Sequence, residues 1–501
     1  MKSKPIFHPY LIAIYPVLYL YSKNQAQVSL LDTILPAGVL LVSAFTLMFV
    51  LTRTTGSKHT SAVAVSASII WLFSYSAARA LMTVDILGLA LYRHRTFILV
   101  WLVVFVSCAI ALYRFRFSTE RISRYLSVLA PVLILFPLSS IVGQIWSAKP
   151  RSLESSSKME SHSGIVPVKS DSLPDVYYII LDAYTGRKAL SKYLDIDNSD
   201  FIGYLEQMGF FVADQSRPNY SWTGLSISSS LNMEYVPTQP NTEDSSKRAV
   251  LSSVSERDMI LNNKVKNAFR QLGYTYVDLA IWKSNNDVDP KGYMYQFATS
   301  DFSLALLRMT FLNRPLVENY LLGRVKRDRV LKKFEALRNL PPADSPRFVY
   351  AHFMIPHHPY VFDENGDLPP FLQMAAELGS EKQLYKAQLL YANQQMKRTI
   401  DSIRARSKRR PIIILQGDHG AYRLGTSESE NRNMRMSILS AYYVPDSCRA
   451  LLYPSITPVN TFRLIFKSCF GQAYDLLPDL SYFSTFEDFH SLENVTGSLD
   501  Q

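Results

Sequence analysis

Apolar residues in the first 150 positions form five long runs that contain no charged side chain. Each run holds about 18 residues or more, which is the length that a helix needs to cross the hydrocarbon core of a bilayer. The runs predict five transmembrane helices, at 5–22, 33–52, 59–78, 96–113 and 125–148. The apolar segment 80–92 is too short to span a membrane alone.

Beyond residue 173, short apolar runs alternate with segments of helical periodicity. The pattern predicts strands at 176–181, 209–213, 274–279, 348–353 and 411–415, and helices at 200–208, 264–272 and 381–405. Strands separated by helices indicate an α/β domain with a mostly parallel sheet between helices. The Ser-rich segment 150–173 has the composition of a linker. The predicted organisation is therefore a transmembrane domain at 1–149, a linker at 150–173 and a second domain at 174–501.

Almost all of the net charge of +11 lies in the first 150 residues. That part carries thirteen Lys or Arg against only Asp32, Asp85 and Glu120, whereas the remainder is nearly neutral. A protein that binds nucleic acid concentrates basic residues on one face of a folded domain. Here the basic residues lie between apolar runs. The charge pattern therefore indicates how the chain is oriented in a membrane, and it argues against a nucleic-acid partner.

The loops that carry these basic residues predict the orientation in the membrane. Basic clusters flank the first, second and fourth runs, at residues 2–4, 53–58 and 114–124. Basic loops stay on the cytoplasmic side, although Arg93 and Arg95 run against this bias. If 80–92 does not cross, the number of spans is odd. We therefore expect a multi-pass protein of the plasma (inner) membrane whose second domain lies outside the cytoplasm.

Two of the predicted strands end in residues that can bind a metal ion. The strand at 411–415 leads into Asp418-His419-Gly420, and the strand at 176–181 leads into Asp182. Ligand sites in α/β sheets lie beyond the carboxyl ends of the strands. Carboxylate oxygens and neutral imidazole nitrogens bind divalent cations. Either strand end alone would suit an ordinary turn, but together they predict a metal site.

Two further segments carry reactive side chains. Residues 221–230 hold five Ser and one Thr, which can cap a helix or provide a nucleophile at a helix N-terminus, where N–H groups favour an anion. Three of the five His beyond residue 170 cluster at His352, His357 and His358. These imidazoles could bind an anionic substrate, protonate a leaving group or hold a second metal, or one of them could be structural.

The order of these motifs resembles that in the alkaline phosphatase superfamily. The matching features are Asp182 after a strand, Thr223 in Asn-Tyr-x-x-Thr, His352 with Pro-His-x-Pro-Tyr at 356–360, and Asp418-His419-Gly420. They look like the sulfatase-like membrane branch, which includes lipoteichoic acid synthase and the phosphoethanolamine transferases. That branch also joins five membrane helices to an extracytoplasmic catalytic domain. The resemblance covers 174–480 by motif and 1–150 by architecture only.

The resemblance also implies roles for single residues. It implies one divalent cation, Mn²⁺ or Zn²⁺ with Mg²⁺ or Ca²⁺ as alternatives, held by Asp182, Thr223, Asp418 and His419. Thr223 becomes the nucleophile that forms a covalent phospho-enzyme. His352 and His357 would contact the phosphoryl oxygens of the substrate. Separately, Arg432 and Arg435, which follow the Asp-His loop, could contact an anion, although we favour their interpretation as residues of a solvated loop.

The sequence departs from the family pattern in three respects. True sulfatases carry a Cys/Ser-x-Pro-x-Arg motif that is oxidised to formylglycine, and no such motif starts near Thr223, which disfavours sulfate-ester hydrolysis by that route. His358 stands where relatives often have Pro, and no partner aspartate for a second metal is identifiable. Separately, Cys448 and Cys469 could form a disulfide in an oxidising compartment or remain thiols.

Three functions are consistent with these residues. The first is a membrane-anchored, metal-dependent transferase that moves a phospho-head group from a membrane lipid to an extracytoplasmic glycan or lipid acceptor. The second is a phosphodiesterase or other sulfatase-like hydrolase that uses the same centre with water as acceptor. The third is a non-enzymatic envelope protein or transporter with a degenerate domain. Five helices are more than an anchor requires, which favours the first function.

Overall fold

The computed structural model divides the chain into two compact units. The N-terminal unit comprises Met1–Ser161 and Asp289–Leu322, and the C-terminal unit comprises His162–Val288 and Gly323–Gln501. The residues that the structure describes are 6–24, 28, 30–81, 85–86, 89–90, 94–114, 118–147, 173–236, 238–240, 248–251, 256–279, 301–311, 322–369, 381–485 and 491–499. The predicted linker, 150–173, lies outside the described residues except for Leu173.

The N-terminal unit has a helix at each position where the sequence predicts one. Numbered in chain order over the whole protein, its described helices are α1 His8–Lys23, α2 Leu31–Thr55, α3 Lys58–Leu81, α4 His94–Arg114, α5 Thr119–Ser147 and α11 Asp301–Arg308. Three of them, α2, α3 and α5, are long and apolar enough to cross a membrane. The protein thus has apolar N-terminal helices suited to a membrane, while the number of five spans stays a prediction.

The segment predicted to be too short to span contains a small hairpin. Strands β1 (Asp85–Ile86) and β2 (Leu89–Ala90) pair antiparallel. The rings of Tyr75, near the end of α3, and Phe97, near the start of α4, lie 5.2 Å apart. The end of α3 and the start of α4 therefore lie at the same end of the helix bundle.

Buried hydrogen bonds identify the opposite end of the bundle. His8 Nδ1 lies 2.8 Å from Ser66 Oγ, and its Nε2 lies 3.1 Å from Ser123 Oγ. The starts of α1, α3 and α5 therefore meet at one end, the end that the basic loops assign to the cytoplasm. Helix α5 runs parallel to α1 and leaves the bundle at the other end.

Helix α11 belongs to the N-terminal unit although it follows the seventh strand of the protein in sequence. Its buried Phe302 and Leu306 cluster with Val17 of α1 and with partly buried residues that include Phe73 of α3. The Met309 carbonyl accepts a hydrogen bond from the Ser76 N–H at 3.3 Å. The predicted boundary would place this segment in the second domain, but its two apolar residues at i and i+4 bury against the bundle where α1 and α3 end.

The core of the C-terminal unit is a six-stranded mixed sheet in the order β4-β10-β9-β3-β8-β7. Its strands are β3 Val176–Leu181, β4 Phe211–Val212, β7 Thr275–Leu279, β8 Arg347–Phe353, β9 Ile412–Gly417 and β10 Ser440–Tyr443. The pairs β3–β8, β3–β9 and β7–β8 are parallel, whereas β10 pairs antiparallel with both β9 and β4. The expected parallel pairing thus holds for the central strands, and β10 makes the sheet mixed.

Helices cover both faces of this sheet. They are α6 Arg187–Leu194, α7 Ser199–Gln207, α8 Thr223–Asn232, α9 Glu256–Leu261, α10 Lys264–Gln271, α12 Leu322–Arg338, α13 Glu381–Arg406, α14 Glu428–Arg435, α15 Asp446–Arg449 and α16 Pro458–Phe470. Residues of β3 alternate between the faces: Ile179 packs in the core with α6, α7, α12 and α13, and Tyr178 packs in the core with α8, α10 and α16. A strand buried on both faces reads as the continuous apolar run seen in the sequence.

A second sheet lies outside what the sequence predicted. Four short strands pair antiparallel in the order β11-β12-β6-β5, with β5 Thr238–Pro240, β6 Arg248–Leu251, β11 Tyr482–Phe483 and β12 Ser491–Asn494. The structure also pairs Cys448 of α15 with Cys469 of α16, with a Cα–Cα distance of 5.1 Å. The disulfide alternative is therefore the one that the structure supports.

A buried polar network fixes α8 against the central strands. The Tyr178 hydroxyl donates to Gln416 Oε1 at 2.9 Å and lies 2.7 Å from Ser230 Oγ. Gln416 Nε2 donates to Ser440 Oγ at 3.1 Å and to Thr461 Oγ1 at 3.2 Å. Unpaired polar groups in a core would be costly, so these bonds specify how α8 docks behind β3 and β9.

We expect a disulfide between Ser76→Cys and Met309→Cys in a Cys108→Ser background, because the backbones of these positions are hydrogen-bonded. The measurement is the fraction of protein that forms the crosslink in native membranes, read by mass spectrometry after proteolysis. A pair that joins Met309→Cys to Ser127→Cys, near the start of α5, should not crosslink. Equal crosslinking of both pairs would contradict the placement of α11 at the end of α3.

Candidate active site

The two predicted metal-binding strand ends lie side by side. Strands β3 and β9 are parallel neighbours in a register that pairs Leu181 with Gly417. Asp182 and Asp418, the next residues along each strand, therefore extend from the same edge of the sheet. Both side chains are buried, and the N–H of Ala183 donates to Asp418 Oδ1 at 3.0 Å.

Three metal-ligating atoms converge at this edge. Asp182, Asp418 and His419 each offer one ligand atom within 4.8 Å of the others. His419 Nε2 lies 3.3 Å from Asp418 Oδ2 and 3.7 Å from Asp182 Oδ1. Both of these carboxylate oxygens are buried, and neither has a hydrogen-bond partner among the residues that the structure describes. Orphaned buried acceptors are rare, so the donor set fits a divalent cation.

The hydrogen bonds of His419 select the tautomer that a metal requires. Its Nδ1 lies 3.1 Å from the Gly420 carbonyl, to which it can only donate. The proton is thus on Nδ1, and the lone pair of Nε2 faces the two carboxylates. Metal-binding histidines characteristically donate their second ring N–H to a backbone carbonyl in this way.

Glycine follows His419 because the loop leaves no room for a side chain. A Cβ on Gly420 would lie 1.9 Å from the carbonyl oxygen of Met434 and 2.6 Å from that of Ser437. The Gly420 N–H donates to the Arg435 carbonyl at 2.8 Å. The end of α14 therefore packs tightly against the Asp-His loop and holds it in place.

Thr223 reaches the same centre from a third element. It is the first residue of α8, is half-buried, and its Oγ1 lies 2.9 Å from His419 Nε2. One turn later, Ser226 Oγ donates to the Asp418 carbonyl at 2.6 Å and holds the helix against the loop. The structure thus brings together all four residues predicted as metal ligands and places the Thr223 hydroxyl at a helix N-terminus, where backbone N–H groups favour an anion.

The clustered histidines occupy three different environments. His352, on β8, is fully buried with its Nε2 3.2 Å from Asp182 Oδ2, so it contacts a candidate ligand from behind. His357 is partly exposed and donates its backbone N–H to the Asp182 carbonyl at 3.0 Å. His358 is exposed. Of the two histidines predicted to contact substrate, His357 is therefore at the surface of the site and His352 is not.

Two side chains from other helices hold the loop that carries His357. Lys326 Nζ, on α12, donates to the His357 carbonyl at 2.7 Å and to the Pro359 carbonyl at 2.9 Å. Gln388, on α13, donates to the carbonyls of Pro356 and His357 and accepts the N–H of Val361. Burial lowers the pKa of Lys326 to about 7. The sequence did not single out either residue, because no local pattern distinguishes it from an ordinary helical residue.

The carboxylates and imidazoles influence one another strongly. Burial and the charge of Asp182 hold the pKa of Asp418 well above its ordinary value. Burial also raises the pKa of Asp182, but the nearby His357, His352 and His419 outweigh it and lower that pKa overall. Burial lowers the pKa of the three imidazoles, which are therefore neutral at pH 7. Two adjacent buried carboxylates that resist joint ionisation are a natural cation site.

A cavity of about 270 Å³ opens beside these residues. It is lined by Ala183, Trp222, Pro356, His357, His358, Tyr360, Tyr385, Ala421, Tyr422, Arg423 and Arg435. The interpretation of Arg435 as a solvated loop residue is wrong, because it is the last residue of α14 and only 7% exposed. Arg432 does lie at the surface, where it pairs with Glu493 at 3.3 Å. Sequence spacing alone does not show which of two arginines on a short helix faces inward.

Comparison with protein families gives a match within the C-terminal unit. Residues 228–446 match the family model described as Sulfatase. The match covers less than half of the chain and agrees with the order of motifs, which resembles that of the alkaline phosphatase superfamily. It supports an enzyme that acts on phosphate or sulfate esters. Among curated proteins, none matches the chain.

Several solved structures are similar to the chain at low sequence identity. The C-terminal periplasmic domain of EcEptC from Escherichia coli, in complex with Zn, is 13% identical with a TM-score of 0.41, over 67% of this chain and 98% of that chain. Lipooligosaccharide phosphoethanolamine transferase A (EptA) from Neisseria meningitidis, an integral membrane protein, is 14% identical with a TM-score of 0.36, over 89% of both chains. A putative sulfatase from Bacteroides fragilis is 12% identical with a TM-score of 0.38, over 65% and 84%. Since these TM-scores are below 0.5, the functional proposal depends on the site and the family match.

We expect a divalent cation to stabilise the C-terminal unit, because it relieves the repulsion between Asp182 and Asp418. A chelator should lower the thermal unfolding midpoint of the purified protein, and Mn²⁺ or Zn²⁺ should restore it, as measured by tryptophan fluorescence. Asp418→Asn should abolish this metal-dependent shift. The exposed Asp200→Asn should keep it, since the Asp200 side chain lies at the surface and pairs with Lys397.

The increase in the thermal unfolding midpoint that the metal causes should become larger as the pH rises. The folded pKa of Asp418 is raised, so its ionisation costs the metal-free protein stability as the pH increases through that pKa. Protons also compete with the metal for the carboxylates and His419 at low pH. A metal shift that is independent of pH, or that persists in Asp418→Asn, would contradict binding at this site.

Proposed function

We propose that the protein is a membrane-anchored, metal-dependent transferase that moves a phospho-head group from a membrane lipid to an acceptor outside the cytoplasm. The single observation that carries this proposal is the position of the Thr223 hydroxyl. It lies 2.9 Å from His419 Nε2, at a helix N-terminus, near two carboxylate oxygens that have no hydrogen-bond partner within the described part of the chain. A nucleophile in that place could form a covalent intermediate with a phosphoryl group.

The cation supplies two effects when it is bound: it lowers the pKa of the Thr223 hydroxyl and offsets negative charge on the phosphoryl oxygens. Asp182, Thr223, Asp418 and His419 would hold it. Mn²⁺ and Zn²⁺ suit this mixture of carboxylate, hydroxyl and imidazole ligands best. His352, behind Asp182, would orient that carboxylate.

The reaction we propose has two half-reactions. In the first, Thr223 Oγ1 forms a bond to phosphorus, the bond from phosphorus to the lipid alcohol breaks, and the Thr223 proton ends on that alcohol. In the second, the acceptor hydroxyl attacks the same phosphorus, the bond to Thr223 breaks, and the acceptor proton returns to Thr223. In this proposal His357, which lines the cavity with a neutral imidazole, would carry these protons between Thr223 and the two alcohols.

The helices of the N-terminal unit support a lipid donor and an extracytoplasmic site. Helices α2, α3 and α5 can cross a membrane, which keeps the enzyme in the compartment of its donor. Helix α5, which leads to the C-terminal unit, leaves the bundle opposite the end that carries the basic clusters 2–4, 53–58 and 114–124. Sulfate-ester hydrolysis through formylglycine is disfavoured, because a secondary threonine alcohol cannot be oxidised to an aldehyde.

We expect Thr223→Ala to reduce turnover of a phospholipid by at least about a thousandfold, because the covalent route is lost. Thr223→Ser should retain part of the activity, since it keeps a hydroxyl. Intact mass spectrometry of wild-type protein exposed to donor lipid without acceptor should reveal the head-group phosphate on Thr223. Unmodified protein together with a fully active Thr223→Ala variant would refute the mechanism.

Product analysis separates a transferase from a hydrolase. Detergent-purified full-length protein is incubated with phospholipid labelled in its head group, with and without glycan or lipid acceptors. Transfer of label to an acceptor supports the proposal. Release of free head group alone, with every acceptor, would instead establish a phosphodiesterase that uses the same centre.

A further inference from the structure

Arg435 lies between the two loops that form the candidate active site. Its Nε donates to the Ser221 carbonyl at 2.6 Å, and its Nη1 donates to the Gly420 carbonyl at 3.3 Å. Ser221 is two residues before Thr223, and Gly420 directly follows His419. The guanidinium group is thus fixed beside both the hydroxyl nucleophile and the metal-binding loop.

The charge of Arg435 has no carboxylate partner within 4 Å among the residues that the structure describes. Its two hydrogen bonds within that part of the chain go to neutral carbonyls and use Nε and Nη1. Burial lowers its pKa to about 10, so it remains charged at pH 7. Asp418 and Asp182 favour this charge from beyond 4 Å, but a cation bound between these two carboxylates would offset their charge. A buried charge without a close partner is costly, and such groups are retained where they meet an opposite charge.

A ligand that enters the cavity can supply this opposite charge to Arg435. Its guanidinium carbon lies 5.2 Å from the Trp222 ring centre and 5.7 Å from that of Tyr422, and these contacts restrict the plane of the fork. The charged side chains among the described lining residues are Arg423 and Arg435, and no carboxylate is among them. The positive charge of Arg435 also lowers the pKa of His357, which lines the same cavity. An anion is therefore the complementary ligand.

We propose that Arg435 binds the anionic phosphoryl group of the substrate in this cavity and is a substrate-binding residue of the enzyme. The proposal rests on the transferase function, because it places the reacting phosphoryl group between Thr223 and Arg435. A guanidinium fork matches two oxygens of a phosphate ester at once. The same chemistry would bind inorganic phosphate, which makes phosphate a probe of the site without turnover.

The competing explanation is that Arg435 only joins the two loops through its carbonyl bonds. Three variants separate these roles: Arg435→Gln, Arg435→Lys and the control Arg432→Gln. Arg432 is on the same helix but pairs with Glu493 at the surface, outside the cavity. Each variant is purified as the full-length, metal-loaded protein, and its thermal unfolding midpoint is measured to confirm folding.

The readouts are the affinity for inorganic phosphate by calorimetry and the KM and kcat for phospholipid. Loss of a charge-assisted hydrogen bond should weaken phosphate binding by Arg435→Gln about 10- to 100-fold and raise KM, whereas Arg432→Gln should match wild type. Arg435→Lys should weaken phosphate binding several-fold, because lysine keeps the positive charge but not the forked guanidinium group. If Arg435→Gln does not fold, Arg435→Lys decides between the roles.

A folded Arg435→Gln or Arg435→Lys variant with the phosphate affinity and KM of wild type would overturn this assignment. The assignment and the proposed function fail in different ways. Wild-type protein that binds phosphate through Arg435 but turns over no phospholipid would refute the function and keep the anion site. Wild-type protein that turns over phospholipid, with an Arg435→Gln variant of unchanged KM, would refute the role of Arg435.

Discussion

The structure of the site depends on the approach of two buried carboxylates, Asp182 and Asp418, at the ends of adjacent parallel strands. The register of β3 and β9 makes this approach unavoidable, and burial makes it unfavourable unless a cation or a proton intervenes. The side chains and backbone groups that surround the two carboxylates offset this repulsion. The backbone N–H groups of Ala183 and His419 donate hydrogen bonds to one oxygen of Asp418. The His352 ring contacts the Asp182 carboxylate, and the lone pair of His419 Nε2 faces both carboxylates. The unfavourable pair is stable because the rest of the domain holds both strands in place.

The buried network around Gln416 links that pair to Thr223, the proposed nucleophile. Gln416 is two residues before Asp418, and its bonds with Tyr178 reach Ser230 on α8. The helix that starts with Thr223 is therefore positioned by the strand that ends at the candidate metal site. The apolar core alone would allow α8 to rotate or slide against the sheet, whereas matched donors and acceptors specify one arrangement.

Much of the fold and the candidate site could be predicted from the sequence, because both follow from short-range patterns. Val176–Leu181 is a continuous apolar run, since its two faces contact two cores, and the acid after it marks the carboxyl end of a strand. What the sequence did not predict depends on contacts between distant residues. Arg435 and Arg432 lie on the same eight-residue helix, but only the side that carries Arg435 contacts the loop at Gly420. Likewise, the second sheet depends on the pairing of β6 with β12, two short strands that are far apart in the chain.

Helix α11 adds a constraint on topology that basic loops alone do not provide. It follows β7 of the C-terminal unit, yet Phe302 and Leu306 pack where α1 and α3 end. The chain leaves the bundle at that end through α5 and returns to the same end through α11. Both connections of the bundle to the rest of the chain therefore lie at the end opposite the basic clusters 2–4, 53–58 and 114–124. This placement within the bundle is independent of Arg93 and Arg95, whose charges oppose the orientation that the other basic residues predict.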